Sequence, residues 1–197
     1  IPASVTELTG AFEGLKNLST ITIDENNPRY MVVENCIMEK KTNTLVLSNS
    51  NAFIPEGTVI IGEGAFAGNT NITSIVIPET VTTIGARAFA DCVALESLTL
   101  SKGVVTIEKE AFANCIKLES FIIPRSVTTI GDFAFEGCEK IVRLDIPTSV
   151  TTIALSNVSL IVWRMYWGVN LSPFFGTSGC ASFHPAILES HSAVSCG

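Results

Sequence analysis

Three cysteines recur at equal spacing, and they are the first residues whose type and pattern could support chemistry. Cys92, Cys115 and Cys138 lie 23 residues apart, so a regular repeat would stack their side chains in one column. Thiolates bind Zn²⁺, but zinc needs ligands that converge tetrahedrally, whereas a column presents its side chains in parallel. Parallel Cβ vectors are also wrong for a disulfide bridge. We therefore interpret the three cysteines as buried free thiols, and Asn69, one turn earlier in the same column, as a packing residue.

The end of the chain contains a second set of potential metal ligands: Cys180, His184, His191 and Cys196. Their spacing, C-x₃-H-x₆-H-x₄-C, lacks the short paired knuckles of structural zinc sites. We expect scattered polar residues here and no metal. Metal-dependent activity in this tail is therefore the least favoured of three functional hypotheses, and stoichiometric zinc that is lost in Cys180→Ala would support it.

No other pattern indicates catalysis. Gly62, Gly64 and Gly68 superficially resemble a phosphate-binding loop, but neither a lysine nor a dinucleotide-type spacing follows them. Residues 176–180 lack the pattern of a nucleophile elbow. Among the 19 acidic residues, no pair recurs with the spacing of a general acid and base. The sequence therefore predicts no enzyme activity, no catalytic residue and no cofactor.

The repeat that spaces the cysteines organises residues 54–153. When the chain is written in lines of 23 residues from Ile54, residues of the same type fall into columns. These columns hold phenylalanine at Phe66, Phe89, Phe112 and Phe135, isoleucine at Ile61, Ile84, Ile107, Ile130 and Ile153, and the start of an L-x-x-L-x-L pattern at Ile72, Leu95, Leu118 and Ile141. One such unit has too few apolar side chains to bury its own face, so the units must stack. We predict a right-handed solenoid of the leucine-rich type.

Each turn is expected to contain short strands and one tighter segment. The L-x-x-L-x-L stretch predicts a strand, and successive strands would form a parallel ladder about 4.8 Å apart. A proline such as Pro78 ends that strand because it cannot donate to the ladder. A second extended piece follows at residues 81–84 and their copies, and glycine closes it, where we expect a positive φ. The closing glycines are Gly62, Gly85 and Gly131.

The Ala-Phe segment of each turn predicts a short helical or 3-10 turn that directs its phenylalanine into the core. The residues that then turn the chain back are Gly68, Asp91, Asn114 and Gly137.

The two ends of the array depart from the 23-residue period. Residues 1–23 form an earlier turn with one residue missing, and residues 24–53 form an insert. In the insert we predict a hairpin that pairs residues 36–38 with 45–47, as a protrusion or a bridge at one edge of the solenoid. After Ile153 the period fails in every column. Residues 154–197 are then either a cap over the open end of the solenoid or a divergent, out-of-frame tail.

Two repeats carry a resemblance to a known family. IPETVTTIGARAFADCVALESLTL from Ile77 and IPRSVTTIGDFAFEGCEKIVRLDI from Ile123 resemble the BspA-like leucine-rich repeat proteins of bacterial and protist cell surfaces. Residues 25–30 and 34–37 are also similar to the family's recurring unit. The resemblance covers roughly residues 1–153. It implies display at the cell surface, adhesion to host or matrix proteins, or cell-cell contact, with no catalytic residues.

Charge and composition exclude some partners. With 47% hydrophobic and 16% charged residues, the chain is expected to form a packed core. The net charge of −7 disfavours nucleic acid and anionic membrane surfaces. The most apolar segment, residues 155–171, contains Arg164 and is a poor membrane span. Because the chain opens within a repeat and without methionine, we expect a fragment or processed form that a secretion signal could have preceded.

The outward residues of the L-x-x-L-x-L strands form the candidate binding site, which we expect on the concave side. They are Ser74, Val76, Ser97, Thr99, Ser120, Ile122, Arg143 and Asp145. This small, neutral and partly apolar surface suits a protein or a glycan, although it also suits ordinary strand residues. A threonine ladder around Thr82 and Thr83 is attributed to β-propensity and not to ice binding.

We favour a secreted or surface-displayed adhesion and interaction module; the alternative is a passive spacer or stalk. The sequence makes no prediction of oligomeric state.

Overall fold

The computed structural model describes residues 1–8, 20–48 and 53–153. Within these ranges the chain forms ten short strands and no helix. The strands are β1 (Tyr30–Val33), β2 (Cys36–Glu39), β3 (Thr44–Leu47), β4 (Ile60–Ile61), β5 (Ser74–Val76), β6 (Thr83–Ile84), β7 (Ser97–Thr99), β8 (Thr106–Ile107), β9 (Thr129–Ile130) and β10 (Thr152–Ile153). The predictions for residues 154–197, including the cap, the divergent tail and the potential zinc ligands, lie outside the described residues.

The main sheet contains eight of these strands in the order β1-β2-β3-β4-β6-β8-β9-β10. From β3 onwards neighbouring strands are parallel, and Thr106 lies opposite both Thr83 and Thr129. The Thr82 hydroxyl also donates to the carbonyl of Val59, 23 residues earlier. The second extended piece of each repeat therefore forms the principal ladder of the solenoid, and the predicted leucine-rich repeat fold is confirmed. Its right-handed sense stays a prediction.

Among the described residues, the ladder expected at every L-x-x-L-x-L stretch is present in two turns only. Strands β5 and β7 pair in parallel and form a separate two-stranded sheet. Residues 120–122 and 143–145 carry no strand, so the expectation is wrong there. Phe121 stands where the neighbouring turns have Ile75 or Leu98, and its ring lies 5.5 Å from the ring of Phe135. Its ring also lies 6.4 Å from the ring of Phe112, so Phe121 packs against the phenylalanine column at the point where this second ladder ends.

The Ala-Phe segment is a run of hydrogen-bonded turns and not the predicted helical or 3-10 turn. Two glycines there, Gly64 and Gly68, have φ of 64° and 71°, which interrupts any helix. The N–H of Phe66 donates to the carbonyl of Ala88 in the next turn at 2.8 Å, so this segment forms a further ladder between turns. Other residues with positive φ in the equivalent columns are Arg87, Asp91, Glu110, Asn114, Phe133 and Gly137.

The glycines that close the second extended piece are needed for a different reason from the one the sequence suggests. Gly62, Gly85 and Gly131 have no positive φ, so that expectation is wrong. A Cβ atom on Gly85 would lie 2.7 Å from the carbonyl oxygen of Ile61 in the preceding turn. Glycine avoids this clash at Gly85, although the column is not invariant, since Glu108 occupies it in the following turn.

The core is a set of columns that run through the stacked turns. The rings of Phe66, Phe89, Phe112 and Phe135 stack in sequence, with centroids 4.7, 5.2 and 5.5 Å apart. Offset stacking at these separations adds to the burial of each ring. Beside them, four isoleucines of the main ladder are buried in the same cluster: Ile61, Ile84, Ile107 and Ile130. The predicted phenylalanine column is therefore confirmed as core.

The insert continues the main sheet. Strands β2 and β3 pair antiparallel, with Met38 opposite Leu45, and these are the segments for which the sequence predicts a hairpin. Strand β1, which the sequence analysis missed, adds an antiparallel neighbour to β2. Strand β3 is parallel to β4, so the insert bridges directly to the first full repeat.

Asn27 fixes the insert to the residues before it. Its side chain is fully buried, and its Nδ2 donates to the carbonyls of Pro2 and Val5 at 2.9 Å each. Its Oδ1 accepts from the backbone N–H groups of Arg29 and Tyr30. One amide thus satisfies four backbone groups that would otherwise need other partners.

Replacement of Phe112 by alanine should reduce the free energy of unfolding by about 3–5 kcal/mol, because it empties a slot between two stacked rings. Chemical denaturation monitored by circular dichroism measures the change. The control, Ile122→Ala, removes a side chain that is 83% exposed and should change stability by less than about 0.5 kcal/mol. A loss below about 1 kcal/mol for Phe112→Ala would mean that the column is not core.

Replacement of Asn27 by alanine should cost about 2–4 kcal/mol, because it leaves several buried backbone groups without partners. Its neighbour Asn26 is exposed, and Asn26→Ala should change stability by less than about 0.5 kcal/mol in the same assay. Equal effects of the two substitutions would contradict the role assigned to Asn27.

Candidate functional site

The strand face consists of the eight residues that the sequence places outward on the L-x-x-L-x-L stretches. In strands β5 and β7, Ser74 pairs with Ser97 and Val76 with Thr99, so side chains of similar size lie next to each other across the two strands. The inward residues between them, Ile75 and Leu98, are buried. The face is thus set by the two-residue alternation of a strand over a buried column. The other four residues, Ser120, Ile122, Arg143 and Asp145, belong to the next two turns and are exposed like the first four.

The strand face exposes large apolar side chains. Val76 is 68% exposed and Ile122 is 83% exposed. Val142, beside Arg143, is 82% exposed and extends the apolar surface, although the sequence analysis did not include it. The equivalent residues of the other turns are polar: Thr73, Glu96 and Glu119. An apolar residue at a position that is otherwise polar was the sequence signal that could have identified Val142.

The polar groups of the strand face are bonded to one another. The Arg143 Nε donates to both carboxylate oxygens of Asp145, at 3.0 and 3.1 Å. The Ser120 hydroxyl accepts from the backbone N–H of Arg143 at 3.3 Å. At the margin, Lys117 pairs with Glu96 at 3.4 Å. Such a surface offers hydrogen bonds and apolar contact, which are the interactions of a binding site.

The threonine ladder lies on the main sheet, away from β5 and β7. The hydroxyls of Thr82, Thr128 and Thr151 donate to carbonyls of the preceding turn at 3.3, 3.5 and 3.4 Å. These hydroxyls therefore take part in the stacking of the turns, which agrees with a structural role.

The cysteine column is buried, as the sequence predicts. The thiols of Cys92, Cys115 and Cys138 donate to the carbonyls of Phe66, Phe89 and Phe112, each at 3.2 Å. All three cysteines are free, and a fourth cysteine, Cys36, is also buried.

Their surroundings make these thiols weak nucleophiles. Burial raises the pKa of Cys92 to about 12. A hydrogen bond with Cys138, together with burial, also raises the pKa of Cys115. Because the thiolate is the reactive form, we expect the column to be inert near neutral pH. Among the described residues, no group of three or more His, Cys, Asp or Glu side chains is arranged to hold a metal ion.

Short parallel strands, a repeated core column and an exposed strand face together define a leucine-rich repeat protein. Residues 43–158 match the family model of the BspA type leucine rich repeat region, in six copies. The chain belongs to the BspA-type leucine-rich repeat family. Proteins of this kind generally bind other proteins and are typically non-catalytic. No curated protein sequence matches the chain.

Solved structures of similar fold come from bacterial proteins. A leucine rich cell surface protein from Faecalibacterium prausnitzii is 34% identical, with a TM-score of 0.70 over 83% of this chain and 45% of that one. The pneumococcal vaccine antigen PcpA is 25% identical, with a TM-score of 0.60 over 67% of this chain and 34% of that one. A leucine rich repeat protein from T. pallidum is 28% identical, with a TM-score of 0.50 over 64% and 60%. This chain spans less than two thirds of each. Of its own described residues, none form a helix that could cross a membrane.

A thiol reagent should leave the buried column unmodified while the chain is folded. In a variant with Cys180→Ser and Cys196→Ser, we expect slow labelling by iodoacetamide at pH 8, because the pKa of Cys92 lies far above that pH. Mass spectrometry counts the modified sites, and labelling in guanidinium is the control that should modify all four remaining cysteines. Rapid labelling of the folded chain would show that the column is open to solvent.

Proposed function

We propose that this chain is a non-catalytic adhesion and protein-interaction module, displayed at the cell surface or secreted, that binds its partner through the strand face. The observation that carries the proposal is the exposure of Val76 and Ile122 on that face, at 68% and 83%. Large apolar side chains grouped on a surface mark interaction sites when the fold does not require them.

The fold does not require apolar residues at this column. The equivalent positions in the other turns are Thr99 and Asp145, both polar and exposed. Val76 and Ile122 therefore contribute little to the core, and a functional reason for their type is favoured. Both side chains are β-branched, and Thr99, which pairs with Val76, occupies the same column in the turn between them.

Host or matrix proteins, or glycans, are the partners that we propose. The net charge of −7 does not favour a phosphate backbone. The neighbour from Faecalibacterium prausnitzii is a cell surface protein, and PcpA is a vaccine antigen, which supports an extracellular location for this chain. The extended surface of a solenoid suits contact with a large partner.

The proposal predicts saturable binding that depends on the strand face. Immobilised matrix proteins, host-cell surfaces and a glycan array are tested with the chain, and the dissociation constant is measured by surface plasmon resonance or on the array. Val76→Glu and Ile122→Glu should each weaken binding about tenfold or more, since a buried unpaired carboxylate opposes contact.

Ile116→Glu is the matched control. Ile116 is 40% exposed, and the next turn has Glu139 in the same column, so the fold tolerates the change. It should leave binding unchanged. Absence of saturable binding to every partner, or equal losses in all three variants, would contradict the proposal and favour a passive spacer or stalk.

A further inference from the structure

Four equivalent turns, which begin at Pro55, Pro78, Ser101 and Pro124, form a second surface, separate from the strand face. The N–H of Val81 donates to the carbonyl of Pro78 at 3.1 Å, and Thr58 and Val127 make the same bond to Pro55 and Pro124. Each is a four-residue turn with two residues at its corner. The first corner residue is charged in four successive turns, and we call these four residues the charged edge: Glu56, Glu79, Lys102 and Arg125.

The charged edge has two negative turns followed by two positive turns. All four side chains are exposed, and the structure shows no ion pair to any of them within the described residues. Equivalent residues of adjacent turns lie about 4.8 Å apart. Glu56 is thus next to Glu79, and Lys102 is next to Arg125. Like charges this close repel each other, and the one neighbouring pair of opposite sign, Glu79 and Lys102, forms no ion pair within the described residues.

The second corner residue of each turn is small and uncharged. These residues are Gly57, Thr80, Gly103 and Ser126. At Gly103 the turns are so close that a Cβ atom would lie 2.0 Å from the carbonyl oxygen of Glu79. No bulky side chain at the corners therefore stands between the four charges and an approaching surface.

We propose that two copies of this chain associate through the charged edge as an antiparallel dimer with two-fold symmetry. In that arrangement Glu56 of one copy faces Arg125 of the other, and Glu79 faces Lys102. Two-fold symmetry repeats both contacts, so all four charges of each copy gain a partner of opposite sign. A parallel arrangement would instead place like charges against each other.

The dimer is expected to be weak and sensitive to salt. Exposed ion pairs contribute little individually and are screened at high ionic strength. The strand face takes no part in it, so the dimer and the proposed binding function succeed or fail independently. Val76→Glu and Ile122→Glu should leave the dimer unchanged.

Sedimentation velocity of the full chain in reducing buffer tests the proposal. At about 0.02 M salt the chain should show a monomer–dimer equilibrium, and at about 0.5 M salt the dissociation constant should rise at least about tenfold. Two double variants should be monomeric: Glu56→Lys with Glu79→Lys, and Lys102→Glu with Arg125→Glu. An equal mixture of the two variants should recover a dimer, because one edge is then wholly positive and the other wholly negative.

Two further variants control for the change in net charge. Glu136→Lys with Glu139→Lys matches the first double variant, and Lys41→Glu with Lys140→Glu matches the second. All four control residues are exposed and lie outside the charged edge. Both control variants should dimerise like the unmodified chain. Since the edge column already accommodates both signs of charge, the edge variants are expected to fold, and circular dichroism checks this.

Several results would overturn the proposal. One is an unmodified chain that stays monomeric at low salt up to about 1 mM. Others are an edge variant that dimerises normally, a mixture that does not recover a dimer, or control variants that lose the dimer as fully as the edge variants do.

Discussion

The stacking of each turn on the next is the constraint on which the described structure depends. A unit of 23 residues cannot enclose a core of its own, so its apolar side chains are buried only against equivalent side chains of its neighbours. The stacked rings from Phe66 to Phe135 and the hydrogen bonds between turns arise from the same registration. The second ladder ends before Phe121, whose ring packs against the rings of Phe112 and Phe135.

Stacking does not restrict the residue type at every column, and the residues of the proposed functions lie in the unrestricted columns. A position that tolerates Val76, Thr99, Ile122 and Asp145 is not fixed by the core. The corner after the proline is equally free, since it accepts both signs of charge. By contrast, the cysteine column is fully engaged in packing, with each thiol bonded to a carbonyl of the preceding turn. Residue type in the buried columns is therefore determined by the fold, whereas residue type in the surface columns can vary with the proposed partners.

Sequence periodicity predicted the features that depend on side-chain type. The phenylalanine stack and the buried thiols follow from columns of equivalent residues, whereas the pairing of β2 with β3 follows from two apolar runs of the insert that flank residues 40–43. The features it missed depend on backbone geometry between turns. Positive φ at Arg87 and Glu110 has no compositional signal, because hydrogen bonds to the next turn and not residue preference hold that conformation. Gly85 is needed for a close approach that only the stacked structure reveals. For the candidate site, the pattern located the strand face but not Val142, which breaks its column.

An experimental structure of the chain tests the stacking of equivalent residues most directly, through the separations of the aromatic rings at positions 66, 89, 112 and 135. If equivalent residues stack from turn to turn, consecutive ring centroids will lie 4.7 to 5.5 Å apart with nearly parallel planes. Rings separated by more than about 7 Å, beyond the range of aromatic contact, or directed to solvent would contradict it.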